Sequence, residues 1–577
     1  SAQNVYEVYD SLSHTSGAHS WKIGGEFRRT QINAFQAIAP NAFFVFAPSF
    51  PTNDAFANFL LGRPVVFYQG LGDLSRGLRN WDLAWFAQDE WRVSRRFTLN
   101  YGIRHEVITP FTDVRDRLNA FVPGQQSTVR PDAPKGLLFP GDEGVARGIA
   151  PIYATAFMPR IGLVWDPSGS GNLSIRAGYA IFYDPFGNGS GLAFQAPVSS
   201  LPWTQFNQFS GPTLNFSNPY AGRPRPEPNT FVRPSTVVAL DKNARPPYAQ
   251  NWNVSIQRSL WRDYLLESRY VGTKGTHLPR NIEANPAVYG PGATAQNADA
   301  RRVYANCRPD GSCDFTHVAL LSYITNSTYH AAQLSLSKRY AAGLAFNTSY
   351  WFSKTLDYLS SINMGGAAAR PLSGENDMAQ NPFDLRAEHG PSLFDAKHRF
   401  VASGTWELPV GGNLRGIGRT LFHGWQTNGI VTLSSGTPFT VYDSANVSLQ
   451  GSHPPVSGFF ASRPDVLTNP NDGAHTVEQW VSRLAFRRLN PQTEAGRFGN
   501  AGRNIVRGPG LANFDVSVFK SFRWTETRQL QFRAECFNVA NHANFGIPVT
   551  DLASANFGRI LDAGSPRLLQ FGLKFLF

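Results

Sequence analysis

Two cysteines six positions apart are the residues whose spacing points most directly to chemistry. Cys307 and Cys313 enclose Arg-Pro-Asp-Gly-Ser, and Pro-Asp-Gly is a turn sequence that brings both sulfurs together. In an oxidising compartment this arrangement favours a loop disulfide. A metal site needs further Cys or His ligands, which His317 alone does not supply. We therefore predict a Cys307–Cys313 disulfide, with Cys536 as a small buried or lipid-facing strand residue.

No group of residues in the sequence has the spacing of a catalytic site. The 12 His residues and the many Ser and Asp residues are scattered, and Gly-x-Ser-x-Gly, His-Glu-x-x-His and Walker-type motifs are absent. The net charge is +12, but the 53 basic residues are spread along the chain without a basic block or a zinc-finger spacing. We predict no enzymatic activity, no cofactor and no nucleic-acid partner.

Charged residues recur at alternate positions of apolar segments, which is the period of a β-strand. In residues 97–104, 173–183 and 529–536 one face is apolar and the other is polar. The apolar face packs on a second sheet in a soluble sandwich, whereas it contacts lipid in a transmembrane barrel with a wet lumen. A lipid-facing Arg or Lys costs about 2 to 4 kcal/mol at mid-membrane. The barrel alternative therefore predicts these lumen-facing polar residues: Arg104, Arg176, Arg258, Lys338, Arg533, Glu535 and Lys574.

The end of the chain has the same alternation and finishes on an aromatic residue. Phe571, Leu573, Phe575 and Phe577 lie on one face of the predicted last strand. An amphipathic edge strand of a soluble β-protein has this pattern too. The aromatic end after alternating apolar residues resembles the signal that the bacterial barrel-assembly machinery recognises, and we predict that these four residues form it.

Composition favours one large β-structure over helical domains. Charged residues make up 16% and aromatic residues 13% of the chain, and its 52 Gly and 40 Pro favour turns. No segment approaches the roughly 18 apolar residues of a membrane-spanning helix, and the mean hydropathy is -0.27. A barrel remains compatible with this average, because its strands present only every second residue to lipid.

Connection lengths distinguish a barrel from a sandwich. Short links such as 94–95 and 341–343 alternate with long ones such as 185–245 and 435–510, as in barrels with short periplasmic turns and long outer loops. We predict about seventeen strands, of which four early ones lie near 5–9, 20–30, 42–47 and 63–69. Since bacterial barrels are usually even-numbered, either strands are missing from the front or the count is wrong by one.

Segments along nearly the whole chain match one known family. Examples are His-Ser-Trp-Lys-Ile-Gly-Gly-Glu-Phe-Arg-Arg at 19–29 and Phe-Arg-Ala-Glu-Cys-Phe-Asn-Val-Ala-Asn-His at 532–542. Further matching segments lie at 55–62, 85–93, 99–104, 159–167, 270–278, 350–357, 395–401, 498–504 and 507–510. Together they resemble the Oar-like TonB-dependent outer-membrane proteins.

The resemblance implies an all-β, transmembrane antiparallel β-barrel in the bacterial outer membrane. Its strands number 22 in the family, with long extracellular loops, short periplasmic turns and an N-terminal plug that contacts TonB. Ser1 already lies in barrel-like sequence. We therefore expect residues 1–577 to be the barrel domain of such a receptor, N-terminally truncated, without signal peptide, plug or TonB box.

The resemblance also implies a transporter or receptor that moves a large ligand, such as a glycan or a peptide, across the outer membrane. The implied partners are outer-membrane lipid, the barrel-assembly machinery, a ligand at the extracellular loops, and the TonB complex through a plug that this chain lacks. A passive porin, a surface adhesion or export protein with the same barrel, and a soluble β-sandwich remain alternatives. Loop aromatics able to grip a ligand are Phe206, Phe209, Phe216, Tyr220, Phe231, Tyr304, Phe315, Phe459 and Phe460.

Overall fold

The protein is built mainly of β-strands, which account for 52% of the structure against 5% for helices. No helix within the described residues is long and apolar enough to cross a membrane. The computed structural model describes residues 2–35, 41–46, 52, 54–73, 75–185, 201–210, 214–220, 227, 229–231, 233–294, 297–309, 312–360, 378–443, 447–450, 462–523, 525 and 527–577.

Within the described residues, eighteen strands form one large sheet. Fifteen of them are long and follow one another as an antiparallel meander. These long strands are β1 (Ala2–Ser16), β2 (His19–Phe35), β3 (Ser75–Ser94), β4 (Phe97–Ile108), β5 (Tyr153–Trp165), β6 (Leu173–Tyr183), β7 (Tyr248–Leu260), β8 (Tyr264–Glu283), β9 (Phe315–Ala341), β10 (Leu344–Asp357), β11 (His398–Glu407), β12 (Trp425–Ser434), β13 (Leu511–Arg523), β14 (Gln529–Phe537) and β15 (Leu568–Leu576). Three short strands complete the sheet: Thr112–Asp113, Ser235–Leu240 and Gly390–Pro391.

Short and long connections alternate along the meander, as predicted. Because successive long strands are antiparallel, the short connections share one end of the sheet, the short-turn rim, and the long ones share the other, the long-loop rim. Helix α1 (Ala55–Leu60) lies in the long connection between β2 and β3. A second helix, α2 (Gly416–Phe422), lies in the short connection between β11 and β12. The long connections are 36–74, 109–152, 184–247, 284–314, 358–397, 435–510 and 538–567.

Two segments that were predicted as barrel strands lie outside the large sheet. Phe43–Val45 and Val66–Gly72 form a separate three-stranded sheet with Thr204–Ser210. Both belong to the connection between β2 and β3, and they pair with another long connection instead of the meander. The predicted total of about seventeen is close to the eighteen observed, but these two segments are not among the eighteen.

The strand register gives the sheet an apolar and a polar face. On β14 and β15, Phe532 lies opposite Leu573 and Ala534 opposite Phe571, while Arg533 on the other face lies opposite Gly572. The same alternation runs through the meander, because cross-strand partners share a face. The period of two in the sequence is therefore expressed as two faces of different polarity.

The first and last long strands are the edges of the meander. Within the described residues β1 pairs with β2 and β15 pairs with β14, and no pairing joins β1 to β15. Both edge strands run toward the short-turn rim, since an odd number of antiparallel strands separates them. A direct pairing of β1 with β15 would consequently be parallel.

The seven long connections are together called the outer cap, and several of them share hydrophobic clusters within the described residues. One cluster joins residues of two connections, 109–152 and 184–247, with the start of β9: Phe121, Leu137, Phe139, Leu201, Val237, Phe315 and Val318. A second cluster joins the connections 435–510 and 538–567: Phe439, Val441, Val481, Phe486, Val506, Leu552 and Phe557. Helix α1 begins where the Asp54 side chain accepts a hydrogen bond from the Ala57 N–H. Shorter elements of the cap are Ala120–Phe121, Leu137–Leu138, Pro438–Phe439, Asp465–Val466, Phe486–Arg487, Val506–Arg507 and the 3-10 turns Asp299–Arg301, Leu385–Glu388 and Arg483–Ala485.

Candidate functional site

Charged side chains on the polar face of β2, β3 and β4 form a row of ion pairs. Arg104 Nη2 lies 2.7 Å from Glu26 Oε2, and Arg104 Nε lies 2.6 Å from Glu106 Oε1. Arg28 Nη2 continues the row to Asp82 Oδ2 at 3.1 Å. The strand register places all five side chains on one face. Hydrocarbon does not solvate such a row, so this face suits a water-filled lumen.

Five of the seven predicted lumen residues lie on the polar face. Arg176 lies opposite Ser255, and its Nε donates to Ser174 Oγ at 3.3 Å. The Arg533 guanidinium stacks over the Phe519 ring with 5.2 Å between their centres. The five residues on this face are Arg104, Arg176, Arg533, Glu535 and Lys574.

Arg258 and Lys338 do not share that face, and the prediction is wrong for both. The register places Arg258 opposite Leu173 and Lys338 opposite Phe346, on the apolar face. Both residues lie close to the strand ends at the short-turn rim. There a long side chain reaches water or turn carbonyls, and the cost of a lipid-facing cation falls to about 0 to 1 kcal/mol.

Backbone carbonyls of the short turns bind lysines on the apolar face. Lys338 Nζ donates to Ala341 O at 2.7 Å and to Leu344 O at 2.9 Å. Lys520, which the sequence analysis did not single out, donates through Nζ to His423 O in another turn. The available signal was a lysine at an apolar position a few residues from a predicted short turn.

The predicted assembly signal lies at the β15 edge of the sheet. Phe571, Leu573 and Phe575 are on the apolar face, and Phe577 follows the last strand residue with 92% of its surface exposed. Cys536 is also on this face, opposite Leu569. Recognition of these aromatic residues by an assembly machinery stays a prediction.

A buried carboxylate in the outer cap is surrounded by three arginines. Glu388 Oε1 lies 2.9 Å from Arg463 Nη2, and Glu388 Oε2 lies 3.6 Å from Arg280 Nη2. Arg503 donates through Nε to Glu388 O at 2.9 Å and pairs with Asp357. All five residues are more than nine-tenths buried. Burial raises the pKa of the Glu388 carboxyl, but the charges of Arg463 and Arg280 outweigh burial and hold that pKa below its usual value. We call these five residues the Glu388 network.

A second buried network contains a histidine with a defined proton position. His317 Nδ1 lies 2.5 Å from Glu283 Oε2, and Arg302 Nη2 lies 2.8 Å from His317 Nε2. Because a guanidinium only donates, Nε2 accepts and the ring proton is on Nδ1. Gln450 Nε2 donates to Ala287 O at 2.6 Å, which joins the connection 284–314 to 435–510. The cap is thus held together by polar contacts as well as by its apolar clusters.

Cys307 and Cys313 form a disulfide in the cap. The bridge closes a short loop beside Asp314, whose Oδ1 lies 2.7 Å from Arg308 Nη2 and 2.8 Å from Arg233 Nε. This carboxylate immediately precedes β9. The disulfide therefore restrains the segment that leads into the longest strand.

Replacement of Cys307 by serine is expected to destabilise this segment by about 2 kcal/mol, because the reduced loop regains chain entropy. Hydrogen exchange of the amides of residues 312–318 should accelerate accordingly. Cys536→Ser, at the free cysteine on the apolar face, is the matched control. Equal exchange rates in the wild type and Cys307→Ser would contradict a stabilising disulfide.

Asp142 organises the connection between β4 and β5 through several hydrogen bonds. Its carboxylate accepts from Ser127 Oγ at 2.7 Å, Thr128 N at 2.7 Å, Val129 N at 3.1 Å and Phe139 N at 2.8 Å. Burial raises the pKa of Asp142, but these donors outweigh burial and lower the pKa to about 2. The ionised carboxylate therefore stabilises this turn.

The Asp142 turn is expected to loosen in acid. A carboxyl with a lowered folded-state pKa stabilises the fold above its unfolded pKa, here 3.8, and this contribution is lost as pH falls toward about 2. Hydrogen exchange at Thr128 and Val129, corrected for intrinsic rates, should report that loss. In Asp142→Asn the acid-dependent part should disappear; its persistence would show that another group titrates.

The predicted loop aromatics mostly pack against neighbouring rings. Phe216 contacts Phe44 with ring centres 4.9 Å apart, and Phe121 contacts Tyr304 at 5.7 Å and Phe315 at 5.5 Å. Phe231 packs against Phe139 at 6.2 Å, and Tyr220 donates to Gln69. The side chains of Phe206 and Phe209 and the whole of Phe459 and Phe460 lie outside the described residues.

The described part of the chain contains no group of three or more His, Cys, Asp or Glu residues placed to hold a metal ion. Most carboxylates described above on the polar face and in the cap pair with arginine.

The model of the family "Outer membrane beta barrel domain" matches residues 1–570, and no curated protein matches. Three similar solved structures are the ferripyoverdine receptor of Pseudomonas aeruginosa (10% identity, TM-score 0.44, 99% of this chain and 47% of that chain), the outer membrane transporter YddB from Escherichia coli (11%, 0.47, 100% and 54%) and the siderophore receptor PiuA from Acinetobacter baumannii (10%, 0.44, 100% and 56%). The chain spans about half the length of these structures. On the family match, this chain belongs to the outer membrane beta barrel domain family and is a protein of the bacterial outer membrane.

Proposed function

We propose that the chain forms the wall and the ligand-recognising outer cap of a TonB-dependent transporter. The carrying observation is the outer cap itself, in which the long connections share hydrophobic clusters and buried ion networks. A passive pore needs an open mouth, whereas the described parts of the outer cap, which pack together, present a fixed surface for recognition before transport. The polar face with its ion-pair row supports a path for a hydrated ligand.

The proposed ligand is a glycan, a peptide or another large nutrient. The resemblance found in the sequence supports energy coupling through a plug domain. Residues 1–577 would then act as the barrel domain, and the cap would select the ligand. The alternative functions are those of an adhesion or export protein and of a passive porin, and the experiment below distinguishes transport from them.

Uptake from cells that carry the gene at its natural locus tests the proposal. Fluorescent oligosaccharides, peptides and ferric chelates are offered to the wild type, to a strain lacking this gene and to a strain lacking TonB. At least one probe should enter only when both proteins are present, and a protonophore should stop its entry. Entry at an equal rate without TonB would favour a porin, and no gene-dependent entry of any probe would contradict transport.

A further inference from the structure

A concavity of about 700 Å³ lies on the polar face, across β1 to β7. Its floor is formed by glycines of three adjacent strands: Gly102 on β4, Gly162 on β5 and Gly178 on β6. Gly162 and Gly178 are directly paired, so two neighbouring positions carry no side chain. The concavity, called the lumen trough, lies several residues from the short turns and is distinct from the outer cap.

Three amides border the lumen trough. Gln88, Asn100 and Asn253 lie on the polar face, and within the described residues none of them makes a side-chain hydrogen bond to protein. Each amide offers two donor hydrogens and one acceptor oxygen. Groups of this kind in a concave site fix the orientation of a polar ligand.

Aromatic rings with cations beside them form the walls of the trough. Tyr9 and Phe86 are stacked with 6.3 Å between ring centres, and Lys22 Nζ lies 5.9 Å from the Phe86 ring. On the other side the Arg160 guanidinium lies 5.0 Å from the Phe182 ring. In the described part of the chain neither cation has a carboxylate within ion-pair distance.

The other charges of the trough are already paired. Arg104 is held by Glu26 and Glu106, as described above. Glu90, the carboxylate that lines the trough on the polar face, has Oε1 3.6 Å from Arg92 Nε. The trough therefore offers positive charge through Lys22 and Arg160 to an incoming anion.

We propose that the lumen trough binds an acidic oligosaccharide, with sugar carboxylates at Lys22 and Arg160. Pyranose rings present apolar C–H faces that stack on aromatic side chains, while their hydroxyls exchange hydrogen bonds with amides such as Gln88, Asn100 and Asn253. The glycine floor lets a sugar ring approach the backbone closely. The proposal deepens the proposed transport function, on which it rests, by naming the ligand class of the barrel wall.

Calorimetric titration of the purified full chain in detergent micelles at low salt tests the proposal. The probes are tetragalacturonate, the neutral sugar maltotetraose and tetraglutamate as an acidic peptide. Tetragalacturonate should bind about tenfold tighter than either of the others, since hydrogen bonds to charged groups are worth this much or more. Equal binding of tetraglutamate would replace the sugar with an acidic peptide and overturn the proposal.

Substitutions then locate the binding in the trough. Lys22→Gln with Arg160→Gln should weaken tetragalacturonate about tenfold or more and leave maltotetraose unchanged. Gly162→Leu should abolish both, because an added Cβ meets only Ala177 O at 3.7 Å and the rest of the side chain fills the trough. Gly572→Leu is the matched control, on the same face but far along the sheet, with its nearest contact at 3.9 Å.

The trough proposal would be overturned if the wild-type protein bound neither sugar, or if Gly162→Leu left sugar binding unchanged. Neither result bears on transport, because the titration needs no TonB and no energy source. Conversely, TonB-independent uptake would contradict the proposed function and leave the measured sugar binding standing. The two failures are therefore distinguishable.

Discussion

Glu388→Gln is expected to destabilise the outer cap by about 3 to 5 kcal/mol. The wild-type carboxylate accepts from both terminal nitrogens of Arg463, Nη2 at 2.9 Å and Nη1 at 3.1 Å, and compensates the charge of Arg280. An amide at this position loses the negative charge and turns NH2 hydrogens toward guanidinium hydrogens. Removing one partner of a buried ion pair leaves the other charge uncompensated, which is the origin of the large cost.

Native-state hydrogen exchange measures this loss where the network joins the cap. Gln380 N donates to Glu388 Oε1, and Arg463 N donates to Gln380 Oε1, so protection of amides near these residues should fall about 10² to 10³-fold or more. Glu478→Gln is the matched control, because Glu478 is an exposed cap carboxylate that pairs with Arg559. Exposed pairs contribute about 0 to 1 kcal/mol. Equal effects of the two substitutions would show that burial of the Glu388 network does not stabilise the cap.

The long strands and their faces could be predicted because the information is local. A period of two in residues 529–536 separates Arg533 and Glu535 from Phe532 and Ala534, and the observed register keeps that separation. Alternation of short and long links likewise follows from turn residues within the sequence. Both features depend on residues that are close together in the sequence.

Arg258 and Lys338 show where the sequence argument about charge fails. Both residues lie on the apolar face beside short turns, where a cation near the membrane surface costs less than one at mid-membrane. Position along the strand mattered as much as the face. In the sequence, the depth of a residue in the membrane can be inferred only from its distance to a turn, and turn boundaries are predicted only to within a few residues.

The outer cap could not be predicted because its contacts join distant parts of the chain. Glu388 and Arg463 are 75 positions apart, and Asp357 and Arg503 are 146 apart. No periodic pattern identifies such partners, and Glu388 lies in a short turn like many exposed acids. The same reason explains why Phe43–Val45 and Val66–Gly72 joined a cap sheet instead of the meander.

An arginine on the apolar face in mid-strand is expected to be far more costly than one on the polar face. Ala402, near the middle of β11, lies opposite Thr348 and Val431 on the apolar face. Ala402→Arg should destabilise the membrane-inserted protein by about 2 to 4 kcal/mol, because hydrocarbon solvates the guanidinium poorly. Urea unfolding from lipid vesicles measures the change in the free energy of unfolding.

Ser403→Arg is the matched control, since Ser403 is the next residue and lies opposite Asn347 and Ile430 on the polar face. Water solvates an arginine there, so the change should stay within about 0.5 kcal/mol. Equal costs at both positions would contradict a lipid-facing apolar side.

Arg258→Ala and Lys338→Ala refine the result: loss of Lys338 should free the turn carbonyls that it binds, whereas loss of Arg258 should be nearly neutral. That difference would separate a cation tolerated at the short-turn rim from one that stabilises its turn.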